Sequence, residues 1–503
     1  MSWLIASSSV QGNKIQVIDK DFLVSEIGLG IDELKNPNWI NEIVSYYDAS
    51  HKGLKDAIYL TLLASISSSL IPIPYSGSPI RSKLNLLLRG QHGGGKGFLM
   101  EMIEKLSPNV QKMGATTSAA LLGGVDKQGK WVPGKAYWAK YGILIIRELF
   151  QSFRAGEWYA DISSDLNEIC EFPHEVSKTN LGSIIKDVAQ AKLEYPDVAF
   201  PHNNEFQYHA PVAVIAGVPE LSLYDILTRV SEGFMSRFIE IPISYDRIEA
   251  ESGIHNFWGN VLPAFREDAE ILQQSQDAKE QQFRRCFYML YSSNLGRWYD
   301  VSLNPASLPR RIEPVRGFIL PDKLRKLFEE ESIRCLNRSL DNVQREFKLT
   351  DVESVRPPIL FRECGDLLRL ACCDAVSRRF AGTEHEGYIR VDDAAANKAV
   401  QFLYMITETS VNHMVESRKI KKLATIQTAS LFWLEYDLIR QSGHMGIPSA
   451  DFFVGLEKNF RVSRKRAETR LKKLCNSELV EERDGVLYAT ILTRIKPTFR
   501  GWS

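Results

Sequence analysis

One glycine-rich stretch with a single lysine is the part of this sequence best suited to phosphate chemistry: Gly90-Gln91-His92-Gly93-Gly94-Gly95-Lys96-Gly97. A largely apolar run precedes it, and the pattern from Phe98 to Leu106 predicts a helix after it. In such an arrangement backbone N–H groups of the turn converge on an anion, the helix N-terminus adds its positive end, and the lysine reaches the outer phosphates. We predict that nucleotide is bound by Gly90, Gly93, Gly94, Gly95, Lys96 and Gly97. The alternative is a structural turn that contains a lysine by chance.

The stretch departs from the P-loop pattern at one position. The pattern G-x-x-x-x-G-K followed by Ser or Thr is matched from Gly90 to Lys96, and Gly97 then stands where the hydroxyl residue belongs. That hydroxyl normally ligates Mg²⁺, and glycine cannot do so. The sequence therefore leaves the use of Mg²⁺ open, and we assign no metal-ligating residue.

A second candidate site lies at the end of the apolar run Tyr141–Ile146, which is followed by Arg147 and Glu148. In P-loop ATPases an acidic pair at this position holds Mg²⁺ through water and orients the attacking water. Glu148 is a candidate base for such a water, whereas Arg147 cannot bind a cation. The alternative is a buried strand whose terminal charges simply reach solvent.

Apolar runs separated by helical patterns predict the elements that position these residues. Besides the run before the glycine-rich turn, the runs near residues 110–113, 141–150, 211–217 and 238–243 predict buried strands of a parallel sheet, and hence an α/β fold. Between about Asp161 and His209 we expect a hairpin insertion that exposes Lys178.

The carboxyl-terminal residues 421–503 predict a separate small domain. Three helical patterns are followed by a hairpin from Leu479 to Ile491 that turns at Asp484-Gly485, a strong hairpin signal. Helix, helix, helix, hairpin is the winged-helix arrangement, a variant of helix-turn-helix. The third helix is rich in bases, of which we predict that DNA contacts Arg464, Lys465, Arg466, Arg470 and Lys473. The alternative is a winged helix that binds protein and keeps a solvated basic face.

Composition narrows the remaining possibilities. Among 503 residues Lys and Arg together equal Asp and Glu, at 62 each, so no global field draws the protein to nucleic acid. The seven cysteines include no C-x-x-C pair and no zinc-ligand spacing, which favours reduced thiols in an intracellular protein, cytoplasmic or nucleoid-associated. The most apolar stretch, Ala57–Pro72, is interrupted by serines and predicts a core helix, so we expect no membrane partner.

The order of these motifs resembles the AAA+ core of the minichromosome maintenance (MCM) replicative helicases and their shorter relatives on mobile elements and viruses. Met235-Ser236-Arg237-Phe238 is similar to the family's arginine-finger motif, and the segment from Arg362 to Ala371 is similar to the lid helix that carries its sensor-2 arginine. The other matching segments are Gly53–Ile58, Leu86–Lys96, Gly114–Gly124, Ile143–Phe150 and Ile389–Asp393.

The resemblance implies an AAA+ P-loop module with a parallel sheet and a helical lid, followed by the winged helix. It implies an ATP-dependent DNA helicase or translocase, acting in replication or DNA processing, assembled as a homo-oligomeric ring such as a hexamer. Arg237 would be the finger reaching a neighbour's nucleotide, Arg362 the sensor, and Lys178 the lysine that contacts single- or double-stranded DNA. The expected divisions are a short N-terminal segment (1–52), the AAA+ core (53–246), a helical linker and lid (247–420) and the winged-helix domain (421–503).

Three departures from the family pattern favour a second hypothesis. Gly97 replaces the Mg²⁺-binding hydroxyl, Arg147 replaces the Mg²⁺-associated acid, and Val218 stands where the sensor-1 asparagine is expected. All three lost groups handle the metal or the attacking water, and phosphoryl transfer depends on both. The chain would then be a weak or inactive AAA+ scaffold that uses nucleotide for oligomerisation, with a partner subunit as a further source of catalytic groups. A winged-helix regulator with a degenerate ATPase domain is a third possibility.

Overall fold

The computed structural model describes most of the chain between residues 33 and 490. The described residues are 33–70, 83–90, 94–114, 117–149, 160–171, 174–179, 184–219, 237–243, 251, 269–295, 315–347, 358–423, 432, 435–436, 438–440, 442, 445–460 and 462–490. Gly93, Met235 and Ser236 lie outside these ranges.

The strands in chain order are β1 (Leu86–Gly90), β2 (Val110–Met113), β3 (Gly123–Val125), β4 (Trp131–Pro133), β5 (Ile143–Ile146), β6 (Glu175–Thr179), β7 (Val198–Ala199), β8 (Glu205–His209), β9 (Ala213–Pro219), β10 (Ile239–Ile243), β11 (Gly317–Ile319), β12 (Glu384–His385), β13 (Tyr388–Arg390), β14 (Ile447–Pro448), β15 (Val480–Arg483) and β16 (Val486–Ala489). The α-helices are α1 (Trp39–Ser50), α2 (Lys55–Ser68), α3 (Lys96–Leu106), α4 (Ser118–Leu122), α5 (Lys135–Trp138), α6 (Ala160–Cys170), α7 (Val188–Glu194), α8 (Ala269–Leu295), α9 (Asp322–Phe347), α10 (Pro358–Ser377), α11 (Asp393–Leu423), α12 (Ser449–Phe460) and α13 (Arg464–Asn476).

A five-stranded parallel sheet forms the centre of the fold, in the order β10-β1-β9-β5-β2. Its strands are apolar on both faces, as a parallel sheet covered on both sides requires. Leu86 and Leu88 contribute to the core on one face, and Leu87 contributes to the core on the other. The predicted α/β fold with a parallel sheet is confirmed.

Two hydrophobic cores cover the two faces of this sheet. The first core joins α1, α2 and α3 to the long helices α8, α9, α10 and α11. It is continuous across the expected divisions after residues 52 and 246, and the indole of Trp39 donates a hydrogen bond to the Ser377 carbonyl over 2.7 Å. Residues 57–68 of α2 are all buried, which confirms the predicted core helix. No helix in the described ranges is both long and apolar enough to cross a membrane.

The second core contains the elements inserted between β2 and β5 and between β5 and β9. In the first insertion β3 pairs with β4, and in the second β6, β8 and β7 form a three-stranded antiparallel sheet. The ring of Trp131 is fully buried against the aromatic rings of Tyr195, Phe200 and Phe206. This packing supports the sheet whose first strand carries Lys178.

Residues 445–490 form a unit whose hydrophobic cluster also includes Phe432, Tyr436 and Ile439. Strands β14, β16 and β15 make an antiparallel sheet, and α12 and α13 contribute Phe452 and Leu471 to the cluster beside it. The hairpin turns at Asp484 and Gly485, whose φ angles of 51° and 75° are those of a type I′ turn. The Asp-Gly pair therefore has the role that the sequence predicts.

The two glycines that frame the predicted phosphate loop give opposite predictions when each is changed to alanine. A Cβ on Gly90 would lie 2.4 Å from the Ile243 carbonyl oxygen, whereas a Cβ on Gly97 meets nothing within 4 Å. We expect Gly90→Ala to lower the free energy of unfolding by about 1–3 kcal/mol through overpacking. Gly97→Ala should raise it by up to about 1 kcal/mol, because alanine favours the helix.

Thermal unfolding of the two variants beside the parent chain, without nucleotide, tests this contrast. A melting temperature for Gly90→Ala equal to or above that of the parent would contradict the close packing of β1 against β10.

Candidate functional site

The predicted phosphate loop lies between β1, an interior strand of the parallel sheet, and α3. Gly95 precedes the helix with a left-handed φ of 90°, a conformation that glycine adopts without strain. Lys96 is the first helical residue, and its Nζ donates to the carbonyl of Gly90 at the end of β1. Gly94 and Gly97 flank these two residues, and Gly93 lies outside the described ranges. The helix N-terminus is thus directed to the carboxyl edge of the sheet, where anions bind in such folds.

The parallel register brings Glu148 to the same edge of the sheet. Gly90 pairs with Pro219 and Ile146 pairs with Ala216, so Glu148, two residues after β5, emerges close to the level of Val218. Only β9 separates β1 from β5, which places Glu148 about 10 Å from the loop strand at the usual strand spacing. Glu148 is partly exposed, whereas Val218 is completely buried. The structure therefore brings together the lysine, the acid and the valine that the sequence singled out.

Arg147 lies against the exposed face of α3. Its Nη2 is 3.3 Å from Oε1 of Glu104 and 3.9 Å from Oε1 of Glu101. Glu101 and Glu104 follow Gly97 by four and seven residues, so all three share one face of the helix. The guanidinium of Arg147 therefore lies on the helix face that Gly97 begins, one to two turns beyond Gly97.

The residues at the two positions that would hold Mg²⁺, Gly97 and Arg147, do not fit this cation. Gly97 has no side chain, and the guanidinium of Arg147 cannot ligate a cation. Within the ranges that the structure describes, no group of three or more His, Cys, Asp or Glu side chains is placed to hold a metal.

Arg237 lies at the amino-terminal ends of the parallel strands, opposite to the carboxyl ends where the Lys96 loop emerges. It precedes β10, and Ile239 at the start of β10 pairs with Leu86 at the start of β1. The side-chain amide of Asn85 donates to the Arg237 carbonyl over 3.4 Å, which holds the backbone there. Five residues of β10 separate this point from the loop edge, about 16 Å at 3.3 Å per residue. The guanidinium is 16% exposed and forms an ion pair with Glu171, directly after α6.

Lys178 differs from the expected exposed lysine. It lies within β6, which pairs with β8 across an insertion that contains α7, and its side chain is only 21% exposed. Its Nζ is 3.8 Å from Oδ2 of Asp165 on α6. Burial, and then the charge of Asp165, raises the pKa of the neighbouring Glu168. In this chain Lys178 therefore neutralises an acidic pair instead of standing free at a hairpin tip.

Arg362 belongs to α10, but its side chain lies outside what the structure describes. Further along the same helix Arg369 is buried, pairs with Asp366 and donates to the Lys83 carbonyl over 3.3 Å. These contacts hold α10 near the residues that lead into β1.

The basic residues of α13 do not form one uniform surface. Those exposed to solvent are Arg464, Lys465, Arg466, Lys472 and Lys473. Arg464 pairs with Glu468 at 3.2 Å, and the Lys473 ammonium lies 5.9 Å from the ring centroid of Phe432. Lys465 and Arg466 are exposed near the helix N-terminus. Lys472 is exposed as well, although it is not among the predicted DNA contacts.

Arg470 has a structural partner. Its guanidinium is 14% exposed and lies 2.7 Å from Oε1 of Glu435, a nearly fully buried carboxylate. Burial raises the pKa of Glu435 to about 7, even though Arg470 lowers it. The prediction that Arg470 faces DNA therefore needs correction. Its spacing from the buried Ala467, Leu471 and Leu474 is the sequence signal that places it at the core edge.

The structure adds carboxylates that sequence reasoning did not identify, namely Glu101, Glu104, Asp165 and Glu171. Each is close to a cation from a distant part of the chain, and a single sequence carries no signal for such pairs. A scan of the chain against protein-family models found no match, and a search of curated protein sequences found none either.

Arg470 and Arg466 provide a matched pair of substitutions on one helix. Arg470→Ala leaves Glu435 buried without its cation, which should lower the stability of this unit by about 3 kcal/mol. Arg466→Ala removes an exposed side chain and should change stability by less than about 0.5 kcal/mol.

The stability that Arg470→Ala removes should also depend on pH. The pKa of Glu435 is raised above its unfolded value, so its protonated form is the one the fold favours, and stability is lost as pH rises through about 7. Hydrogen-exchange protection factors for peptides covering residues 464–476, corrected for intrinsic exchange, should fall more at pH 8 than at pH 5. Equal protection in the two variants would show that the ion pair has no structural role.

Proposed function

We propose that this chain is an MCM-like AAA+ subunit that binds ATP at the Lys96 loop and acts on DNA as a helicase or translocase. One observation carries the proposal. The Lys96 loop and Glu148 emerge together at the carboxyl edge of a parallel sheet, while Arg237 lies at the opposite edge. Ligands of open α/β sheets bind at the carboxyl edge, so the loop and the acid are placed for a shared phosphate.

The position of Arg237 supports a role between subunits. Because about 16 Å of β10 separates it from its own loop edge, it is too distant to contact a nucleotide bound in the same chain. A repeated head-to-tail contact, which closes into a ring, would present it to the nucleotide of the next subunit. In the isolated chain the guanidinium of Arg237 forms an ion pair with Glu171, so assembly would replace this carboxylate with the phosphate of a neighbour's nucleotide.

The unit formed by residues 445–490 supports contact with DNA. Two helices followed by a hairpin agree with the last part of the winged-helix arrangement, in which α13 would be the helix that enters the major groove. Lys465 and Arg466 near its N-terminus are exposed, where such helices contact DNA. Because the whole chain has no net charge, this local basic surface supplies the attraction to phosphate.

A second function, an AAA+ scaffold that holds nucleotide and binds DNA with little turnover, is favoured by the substitutions around Glu148. Gly97 and Arg147 remove groups that handle Mg²⁺, and the buried Val218 has no polar group with which to position water. Both functions require nucleotide binding, and they differ in hydrolysis.

Lys96→Ala separates these functions from a purely structural turn. We expect it to weaken ATP binding by at least tenfold, because it removes a charge-assisted hydrogen bond worth about 1.5–3 kcal/mol. Binding of labelled ATP and phosphate release should be measured on the full chain with and without DNA. Unchanged ATP affinity in Lys96→Ala would refute the nucleotide site. If the parent chain binds ATP but its turnover is no higher than that of Lys96→Ala, the scaffold function is supported and the helicase is excluded.

Mixing two inactive variants tests the role of Arg237 across subunits. Arg237→Ala should retain ATP binding and lose turnover, and Lys96→Ala should lose both. In an equal mixture about a quarter of the subunit interfaces combine an intact loop with an intact arginine, so about a quarter of parental turnover should return. No recovery in rings shown to contain both variants would exclude action on a neighbour's nucleotide.

Removing the exposed bases of α13 should weaken DNA binding in a salt-dependent way. Arg466→Ala and Lys465→Ala should each lower duplex affinity and reduce the slope of log K against log salt by about 1, since each neutralises one phosphate. Fluorescence anisotropy with labelled duplex DNA measures both quantities. Lys323→Ala, which removes an exposed cation from α9, is the control and should change neither. An unchanged salt slope in both α13 variants would argue for a protein-binding winged helix.

A further inference from the structure

We propose that the guanidinium of Arg147 takes the place of a divalent cation at the Lys96 loop, so that this site binds the metal-free nucleoside triphosphate in preference to its magnesium complex. The inference rests on the proposed nucleotide site and assigns the form of the nucleotide that it selects. It follows from the positions of Arg147, Gly97, Glu101 and Glu104.

The backbone of Arg147 is fixed beside α3. Its N–H donates to the Met113 carbonyl over 3.3 Å. A Cβ built on Gly217 would lie 2.6 Å from the Arg147 carbonyl oxygen and 2.9 Å from Cε of Met100. The end of β5, strand β9 and the second turn of α3 are therefore in close contact. The side chain of Arg147 starts from this junction, at the phosphate edge of the sheet.

The side chain of Arg147 can leave its present partners at little cost. It is 49% exposed, its nearer partner Glu104 is 19% exposed, and the more distant Glu101 is 61% exposed. Solvent screens the half-exposed guanidinium, so these ion pairs contribute little to stability. Glu104 also accepts from the Lys112 ammonium at 2.8 Å, so that carboxylate keeps a cation when Arg147 departs.

The helix geometry makes the exchange short. Glu101 and Glu104 lie about 6 and 10 Å beyond Gly97 along the helix axis, and a rotation of the long arginine side chain can cover this range. A triphosphate at the helix N-terminus would offer the guanidinium paired, charge-assisted hydrogen bonds, which are stronger than those to one exposed carboxylate.

Gly97 leaves the space that this exchange needs. Among the described residues, no atom lies within 4 Å of a Cβ built at this position, which is where a P-loop hydroxyl would hold Mg²⁺. A metal bound to the incoming nucleotide would instead meet the positive charge of Arg147. Two like charges in one site repel each other, and the repulsion is stronger at a protein surface than in bulk water. Free nucleotide therefore binds more tightly than its magnesium complex.

Titration of the full chain with labelled ATP, once in EDTA and once in excess Mg²⁺, tests this inference. The parent chain should bind at least as tightly in EDTA as in Mg²⁺. Arg147→Ala should weaken binding in EDTA by about tenfold or more, the loss of one charge-assisted contact. The double variant Gly97→Ser with Arg147→Asp restores a hydroxyl and an acid, and its binding should become dependent on Mg²⁺.

Two further variants separate this role from a structural one. Lys105→Ala removes an exposed cation of the same helix that pairs with Glu280, and it should leave the ratio of the two affinities unchanged. Glu101→Gln removes a competing carboxylate and should tighten binding in EDTA.

The outcomes distinguish this inference from the function on which it rests. Binding of ATP by the parent chain only when Mg²⁺ is present, or unchanged EDTA affinity in Arg147→Ala, would overturn the inference and leave the nucleotide site standing. No ATP binding in either buffer, with Lys96→Ala indistinguishable from the parent, would instead refute the nucleotide site.

Discussion

The close approach of Gly90 to the carbonyl of Ile243 is the constraint on which the site depends. It lets β1 pair along its whole length with β10 on one side and β9 on the other, so the chain leaves the sheet at one defined level. Next to it, the fully buried Arg89 forms an ion pair with Glu240 of β10 at 2.5 Å. A buried charge pair of this kind is costly to break, so it penalises other registers of the two strands. The glycine-rich turn and α3 are positioned as a consequence.

A recurring feature of the described structure is a cation held by a carboxylate from a distant segment. Arg470 with Glu435 is mostly buried, and such a pair belongs to the architecture because separating it exposes two charges to a low dielectric. Arg147 with Glu101 is half-exposed, and solvent screens such a pair. Arg237 with Glu171 lies between these cases. The degree of burial therefore separates cations that hold the fold from cations that can change partners.

The three departures from the P-loop ATPase pattern are related in space. Arg147 contacts the face of α3 that Gly97 begins, one to two turns further along, and Val218 belongs to the strand between the loop and Glu148. A change at one of these positions alters the electrostatic surroundings of the others. Together they describe a site that retains groups suited to phosphate and replaces a metal ligand with a positive charge. This combination is consistent with prolonged holding of nucleotide, because positioning by Mg²⁺ is a large part of phosphoryl-transfer catalysis.

The sequence by itself determined the parallel sheet, the loop at the end of β1, the core helix α2 and the Asp-Gly hairpin. Each of these follows from local periodicity, or from residues such as glycine whose conformational range is special. The sequence also showed that Gly97 and Arg147 are unusual. Only the tertiary structure decided that Arg147 lies against α3, that Lys178 lies beside Asp165, and that Arg470 is partly buried against Glu435. These pairs join different helices and strands, and the charge of a residue shows that it needs a partner without showing which residue that partner is.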